Sequence, residues 1–359
     1  GGARRITHPS TLRRSHTTPH PSRGGAPRPP AAAGDGPDCR ISCLGRGGGG
    51  QQSGLILRSA RRVRCRDAYC EGMATRQTSP GTTGFGGRVL ALLACSHPGP
   101  TVVVTTLAGL LAVGAGIGVG RIVLTVAAVL FGQLSVGWSN DAIDAQRDLA
   151  IGRRDKPIAA GVISRRAVAA AAGVSLVIAL IISAIIGWEF CLAHGIALAS
   201  AWAYNAWLKF TWASVIPFAV SFGILPSLAT LAAPAPVVAP WWQGAAGALL
   251  GIAVHLTNVL PDLAYDEATG VRGLGHRIGT TPSAIVAFAA VIAGTVVVVV
   301  GSFGQVPFAV ALAASVSVAA CAVAGLLRAL RKPDRVVFRL VMASGLILAA
   351  QLVLTAFVA

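Results

Sequence analysis

Acidic residues are scarce in this chain: 13 Asp and Glu stand among 359 residues, against 30 Lys and Arg. Charged residues of either sign make up only 12% of the sequence, where soluble domains carry about 25%. With 54% hydrophobic residues, that scarcity excludes a soluble binding module. Alternation of apolar and polar residues is missing from the long hydrophobic runs, so helices rather than a barrel are the expected way across a bilayer. A complete zinc-type ligand set is missing too. Cys39, Cys43, Cys65 and Cys70 crowd the first 72 residues without a His or Cys set to complete a site. Cys95, Cys191 and Cys321 are single residues in or beside apolar stretches and read as small core residues. No cleavable signal peptide is expected, because the first apolar stretch comes late and leads into further ones.

The net charge of +17 is two numbers rather than one. Residues 1–72 hold 13 Arg and 4 acids, and the rest of the chain 17 basic and 9 acidic residues. The first block is rich in Gly, Pro, Arg and Ser and has no apolar periodicity, so residues 1–85 are expected to be disordered. A basic tail of this kind can touch nucleic acid or anionic lipid; here no nucleic-acid partner is expected. The first Met is Met73, and translation is expected to begin there, with residues 1–72 an over-extended reading frame.

What is abundant is apolar sequence of spanning length. Nine segments, at about 100–119, 121–140, 166–186, 190–208, 213–232, 241–261, 282–301, 305–327 and 337–357, each cover ~20 residues, enough for ~30 Å of hydrocarbon. The loops after the second, fourth, sixth and eighth segments hold 14 basic residues, and the other four loops hold one, Arg121. By the positive-inside rule, the even loops and the N-terminus lie in the cytoplasm and the C-terminus outside, as in a multi-pass plasma-membrane protein. Trp188, Trp241 and Trp242 fall at outer ends and Trp207 and Trp212 at an inner one, as interface anchors do.

Against this background the acids are not scattered. Of the nine after Met73, seven fall in or beside two places, Asn140 to Asp155 and Asp262 to Glu267. Each closes an apolar segment, and an Asp at the centre of a membrane helix costs about 2.5–3.5 kcal/mol. If the first stretch is helical, Asn140, Asp144 and Asp148 share a face at i, i+4, i+8. Asp262 and Asp266 repeat the spacing, with Asn258 a turn earlier. Like charges so spaced repel until a cation binds. An all-oxygen ligand set favours Mg²⁺, which usually completes its octahedron with water and substrate phosphates. A diphosphate is therefore the expected third partner. Arg153, Arg154, Lys156, Lys209, Arg272 and Arg277 lie on the same side of the membrane and can hold phosphate oxygens, or can be ordinary positive-inside residues. Asp155 and Glu267 can equally be solvated helix caps. Arg165 and Arg166 read as loop residues, and Glu189 and Asp334 as surface residues.

The sequence at this point resembles the UbiA superfamily of intramembrane prenyltransferases. Asn140-Asp141-x-x-Asp144-x-x-x-Asp148, followed by Lys156-Pro157-Ile158-x-x-Gly161, is similar to that family's first acidic element. Asp262-x-x-x-Asp266 with Gly270, Arg272 and Leu274 is similar to its second, and Tyr204-x-x-x-x-Lys209 to the end of its fourth helix. Two departures stand out. Gly273 sits where members often carry Thr, and Ser96-His97-Pro98-Gly99-Pro100 lacks the usual Arg of the first helix. The resemblance covers roughly residues 90–359 and implies an all-α integral membrane fold: nine transmembrane helices around an intramembrane active-site cavity, with residues 86–359 as the catalytic unit.

It also implies a reaction. Mg²⁺ held by Asn140, Asp141, Asp144, Asp148, Asp262 and Asp266 would bind a prenyl diphosphate. Lys156, Arg154, Arg272 and Asn258 would meet the diphosphate, and Asp144, Asp262, Lys209 and Tyr204 would take part in catalysis. The leaving diphosphate uncovers an allylic cation that must be kept from water, and an acceptor, expected to be small and lipophilic or aromatic, attacks it. Trp138, Trp202, Tyr204 and Tyr265 could stabilise that cation by ~0.5–2 kcal/mol each, although packing explains Trp202 as well. Asp141 and His255 are possible acceptor-side groups, and a His in a span can equally be a hydrogen-bonded core residue. Other readings are a membrane terpene cyclase, phosphoribosyl transfer to a polyprenyl phosphate and, remotely, a transporter, whose carboxylates would lie nearer the bilayer midplane.

Overall fold

The structure is a computed structural model and describes residues 84–263, 266 and 270–358. The Met73 start, the first four cysteines, Tyr265, Glu267 and residues 1–83 of the segment 1–85 expected to be disordered lie outside the described residues, while Phe85 opens the first helix. Eleven α-helices and no strand are present among the described residues. They are α1 (Phe85–Cys95), α2 (Pro98–Gly114), α3 (Val119–Ala150), α4 (Arg165–Ile186), α5 (Trp188–Ala206), α6 (Ile216–Leu231), α7 (Trp241–Val259), α8 (Leu274–Ile278), α9 (Thr280–Gly301), α10 (Phe308–Arg331) and α11 (Arg335–Val358).

Seven helical stretches are long and apolar enough to cross a membrane among the described residues, and the α1–α2 pair, bent by 66°, makes an eighth if it counts as one span. The expected fourth segment coincides with α5, which is not among them because His194, Tyr204 and Asn205 lower its hydropathy. The outward faces are apolar: Val174, Val177, Ile181 and Ile185 line one exposed stripe of α4 at helical spacing. In water such a stripe would be a liability, whereas in lipid it is the ordinary outer surface.

Neighbours in sequence are neighbours in space, α2 on α3, α3 on α4, α5 on α6, α6 on α7, α7 on α9, α9 on α10 and α10 on α11, and α11 returns to pack on α2 and close the ring. Small residues set the spacing. A Cβ on Gly247 or Gly251 of α7 would collide with the carbonyl oxygens of Phe222 and Phe218 on α6, so these two backbones touch directly. At the opposite end from the acids, Arg121 of α3 donates to the carbonyl of Ala232 at 2.7 Å, which caps the last turn of α6. The single basic residue of the odd loops is thus a helix clamp.

Helix ends differ from the sequence expectation at both acidic sets. α3 continues ten residues past position 140, to Ala150, and carries the whole first set in one rod. The second set is interrupted: α7 ends at Val259, and Pro261 sits in a 3₁₀ turn at Leu260–Asp262, since proline cannot donate the next helical bond. α1, a short helix before the first expected span, is too brief to have shown as one.

Candidate active site

A cavity of about 600 Å³ opens at the end of the ring where α3 and α7 finish and α2 and α11 begin. Asp144 and Asp148 line one wall and Asp262 and Asp266 another, with Lys209 and Tyr204 beside them. The extra turns of α3 put Asn140, Asp144 and Asp148 on the face that looks inward. Lys209 sits in a 3₁₀ turn after α5, only 4% exposed, and its ammonium pairs with Asp144, whose other carboxylate oxygen accepts from Arg147 at 2.9 Å. Burial pushes the Lys209 ammonium below its ordinary value, and the Asp144 charge opposes that shift.

The orientation of Asn140 is dictated by its neighbours. Asn205 donates its amide to the Val136 carbonyl at 2.9 Å and to Ser139 Oγ at 2.8 Å. A carbonyl can only accept, so the Asn205 oxygen must be its other end, and that oxygen accepts from Asn140 Nδ2 at 3.1 Å. The Asn140 oxygen is then the acceptor that this network does not use. Asn205 is buried and was not a sequence candidate, because a lone Asn in an apolar helix carries no motif beyond its place next to Tyr204.

Several expected site residues fall elsewhere. Asp141 is buried and does not line the cavity; it accepts from Lys156 at 2.7 Å and pairs with His97 at 2.9 Å. Lys156 therefore lines the cavity while already neutralising Asp141. Arg154 and Arg272 are exposed and outside the lining, and Arg153, Arg147, Arg335 and Arg339 take the lining positions instead. Arg153 makes a two-point contact with Asp155, at 3.1 and 2.7 Å, which raises the guanidinium and holds the Asp155 carboxyl below the usual range. Arg335 and Arg339 are among the 14 basic residues of the even loops and carry no motif; their approach depends on the α11–α2 closure, which no local pattern reveals.

His97 opens α2 with a left-handed backbone, φ 53°, rare for a residue with a Cβ. His255 is sealed in the core 1% exposed, edge-on to Tyr204 at 5.7 Å and bonded to Ser214 Oγ at 3.0 Å, and is not among the residues lining the chamber. Trp202 ties α5 to α3 through Ser135, at 3.2 Å, which is the packing role. Trp138 donates to the Leu92 carbonyl of α1 at 2.8 Å. Gly273 is explained by contact: a Cβ there would lie 2.9 Å from the Lys209 carbonyl oxygen, so the loop after the second acidic set rests on the turn that carries Lys209.

Below the polar chamber a second cavity of about 220 Å³ shares His97, Asn140, Tyr204 and Asn258 with it and runs on between predominantly apolar walls. Six Lys and Arg and five Asp side chains line the upper chamber. Among the described residues no three Asp, Glu, His or Cys converge tightly enough to hold a cation by themselves. The oxygen donors face each other across the chamber, an arrangement that suits a cation whose remaining ligands come from water or an anionic molecule.

Residues 102–347 match the model of the UbiA prenyltransferase family. The fold is similar to the apo structure of a UbiA homolog from Aeropyrum pernix K1, with 18% identity, a TM-score of 0.61, and coverage of 71% of this chain and 97% of that one. It is also similar to a UbiA homolog from Archaeoglobus fulgidus bound to GPP and Mg²⁺, at 16% identity and TM-score 0.58, covering 75% and 98% of the two chains. A third similar structure is that of a digeranylgeranylglyceryl phosphate synthase in membranes, at 15% identity and TM-score 0.55, covering 75% and 97%. No curated protein matches the chain in sequence.

Proposed function

The chain belongs to the UbiA prenyltransferase family, and on that premise we propose that it transfers a prenyl group from a prenyl diphosphate to a lipophilic, aromatic acceptor inside the membrane, with Mg²⁺ as cofactor. The observation that carries the reading is the chamber itself, where two acidic sets more than a hundred residues apart meet Lys209 and the other cations. The Archaeoglobus homolog with GPP and Mg²⁺ supports the donor and metal assignments.

Asn140, Asp144 and Asp148 on one side and Asp262 and Asp266 on the other would hold the metal; Asp141, turned to Lys156 and His97, would not. When bound, Mg²⁺ supplies charge neutralisation of the diphosphate oxygens. Arg153, Arg335 and Arg339 add donors to the same anion, and Lys209 places its positive charge where the leaving oxygen becomes anionic. The C–O bond to the diphosphate breaks with its electron pair, and positive charge develops on the allylic carbons. Tyr204 borders both cavities where those carbons would lie and can meet the charge with its ring face. The acceptor ring forms the new C–C bond and releases a proton, and diphosphate leaves by the mouth. The apolar lower cavity keeps water from the cation.

The same reading includes the membrane arrangement: nine spans formed by α2 to α7 and α9 to α11, a plasma-membrane location, and the chamber on the cytoplasmic side with the N-terminus, the C-terminus being outside. The 14 basic residues of the even loops support that orientation. Residues 86–359 form the catalytic unit. The test is release of diphosphate from a prenyl diphosphate by purified protein, with and without Mg²⁺. Asp144→Ala and Asp262→Ala should each abolish it, and a metal-independent release or full activity in either variant would remove the proposal.

A further inference from the structure

A column of voids continues below the lower cavity, and one side chain interrupts it. Of the six helices that line the lower cavity, four also line the next void, of about 60 Å³, about one turn deeper. On α2 the lining steps from Val104 to Leu107, on α7 from Val254 to Leu250, and on α11 from Met342 to Gly345. On α6 the step is made within one residue: Phe222 lines both voids and is the residue they share. A further void of about 150 Å³, sharing Leu111 and Pro226 with the 60 Å³ one, carries the column towards the far end of the bundle. Phe222 is 9% exposed, and its carbonyl abuts Gly247 of α7, so its backbone cannot retreat towards that helix.

We propose that Phe222 is the floor of the prenyl arm and sets the chain length of the donor. This rests on the prenyl-transfer reading above. The lower cavity runs along α3 from Asn140 to Gln133, seven residues or about 10 Å. An isoprene unit has four main-chain bonds, about 5 Å when extended, scaled from the 3.80 Å spanned by three backbone bonds. The arm above Phe222 therefore takes about two units, and longer chains meet the ring. Removing the ring joins the two voids along the same axis.

The experiment is equilibrium binding of C5, C10, C15 and C20 prenyl diphosphates, with Mg²⁺, to the purified full chain and its variants. Wild type should favour C10 over C20 by about tenfold or more, the discrimination that a methylene-sized misfit brings. Phe222→Ala and Phe222→Leu should move the preference to C15 and C20, and Phe222→Trp should move it to C5. Leu225→Ala, which enlarges only the deeper void, should leave the preference in place. If Phe222→Ala does not fold, Phe222→Leu decides. A wild type indifferent to chain length, or a preference that none of the Phe222 variants moves, would overturn the proposal and mean that the tail leaves sideways into lipid. A chain that binds no prenyl diphosphate at all removes the prenyl-transfer reading together with this one, whereas binding without a length shift removes only this one.

Discussion

Asn140 donates its amide to Asn205 over 3.1 Å, and Asn205 is itself fixed by the backbone carbonyl of Val136. The contact orients a candidate metal ligand through a residue that lines only the lower cavity. Outer partners of this kind are worth about 10–100-fold in metal affinity or activity. Asn205→Leu should therefore raise the Mg²⁺ concentration needed for half-maximal diphosphate release by about that factor, with the thermal midpoint in detergent reporting any loss of fold. An unchanged Mg²⁺ requirement would show that Asn140 is not a ligand.

Lys209 and Asp144 form a buried pair whose removal should be asymmetric. Deleting one partner leaves the other charge uncompensated, at a cost of about 3–5 kcal/mol, while deleting both can be nearly neutral. Arg147 also touches Asp144, which places Lys209→Met at the lower end of that range. Lys209→Met is expected to unfold at a lower temperature than Lys209→Met combined with Asp144→Asn, and neither should turn over. A double variant no more stable than the single one would contradict the pairing.

Arg153 holds the Asp155 carboxyl below its ordinary value, chiefly through their hydrogen bonds. Because the folded value is depressed, this stabilisation is complete above the unfolded value of about 3.9 and is lost as the pH falls through the folded one. Asp155 is 63% exposed, so the pair should contribute only about 0.2–1 kcal/mol. Asp155→Asn should lower the unfolding midpoint slightly at neutral pH, less at high salt, and not at all once Asp155 is protonated. Donor binding should tighten, since the substitution relieves Arg153 of a competing carboxylate.

Much of this molecule was legible because lipid makes charges expensive. Seven of the nine acids after Met73 stand at two places, and that alone marks the two acidic walls of the chamber. Helix positions followed from apolar length, and the loop charges agreed with them. What stayed hidden depends on contacts between distant segments. Arg335 and Arg339 reach the chamber only because α11 closes on α2, and Arg154 loses its place to Arg153 through the turn of the loop. Asp141 looked like its neighbours in the motif, but it sits one residue off the Asn140–Asp144–Asp148 face and turns to His97 and Lys156. Tyr204 and Lys209 carried a motif, whereas Asn205, buried between them in sequence, did not.

The central claim is that the two acidic sets act together, through Mg²⁺, as one donor site. Calorimetric binding of a non-hydrolysable prenyl diphosphate analogue to purified protein, titrated with Mg²⁺, tests it most directly. Wild type should bind only when Mg²⁺ is present, and Asp144→Ala on α3 and Asp262→Ala after α7 should each lose that Mg²⁺-dependent binding. Binding that persists without Mg²⁺, or that survives in either variant, would contradict it.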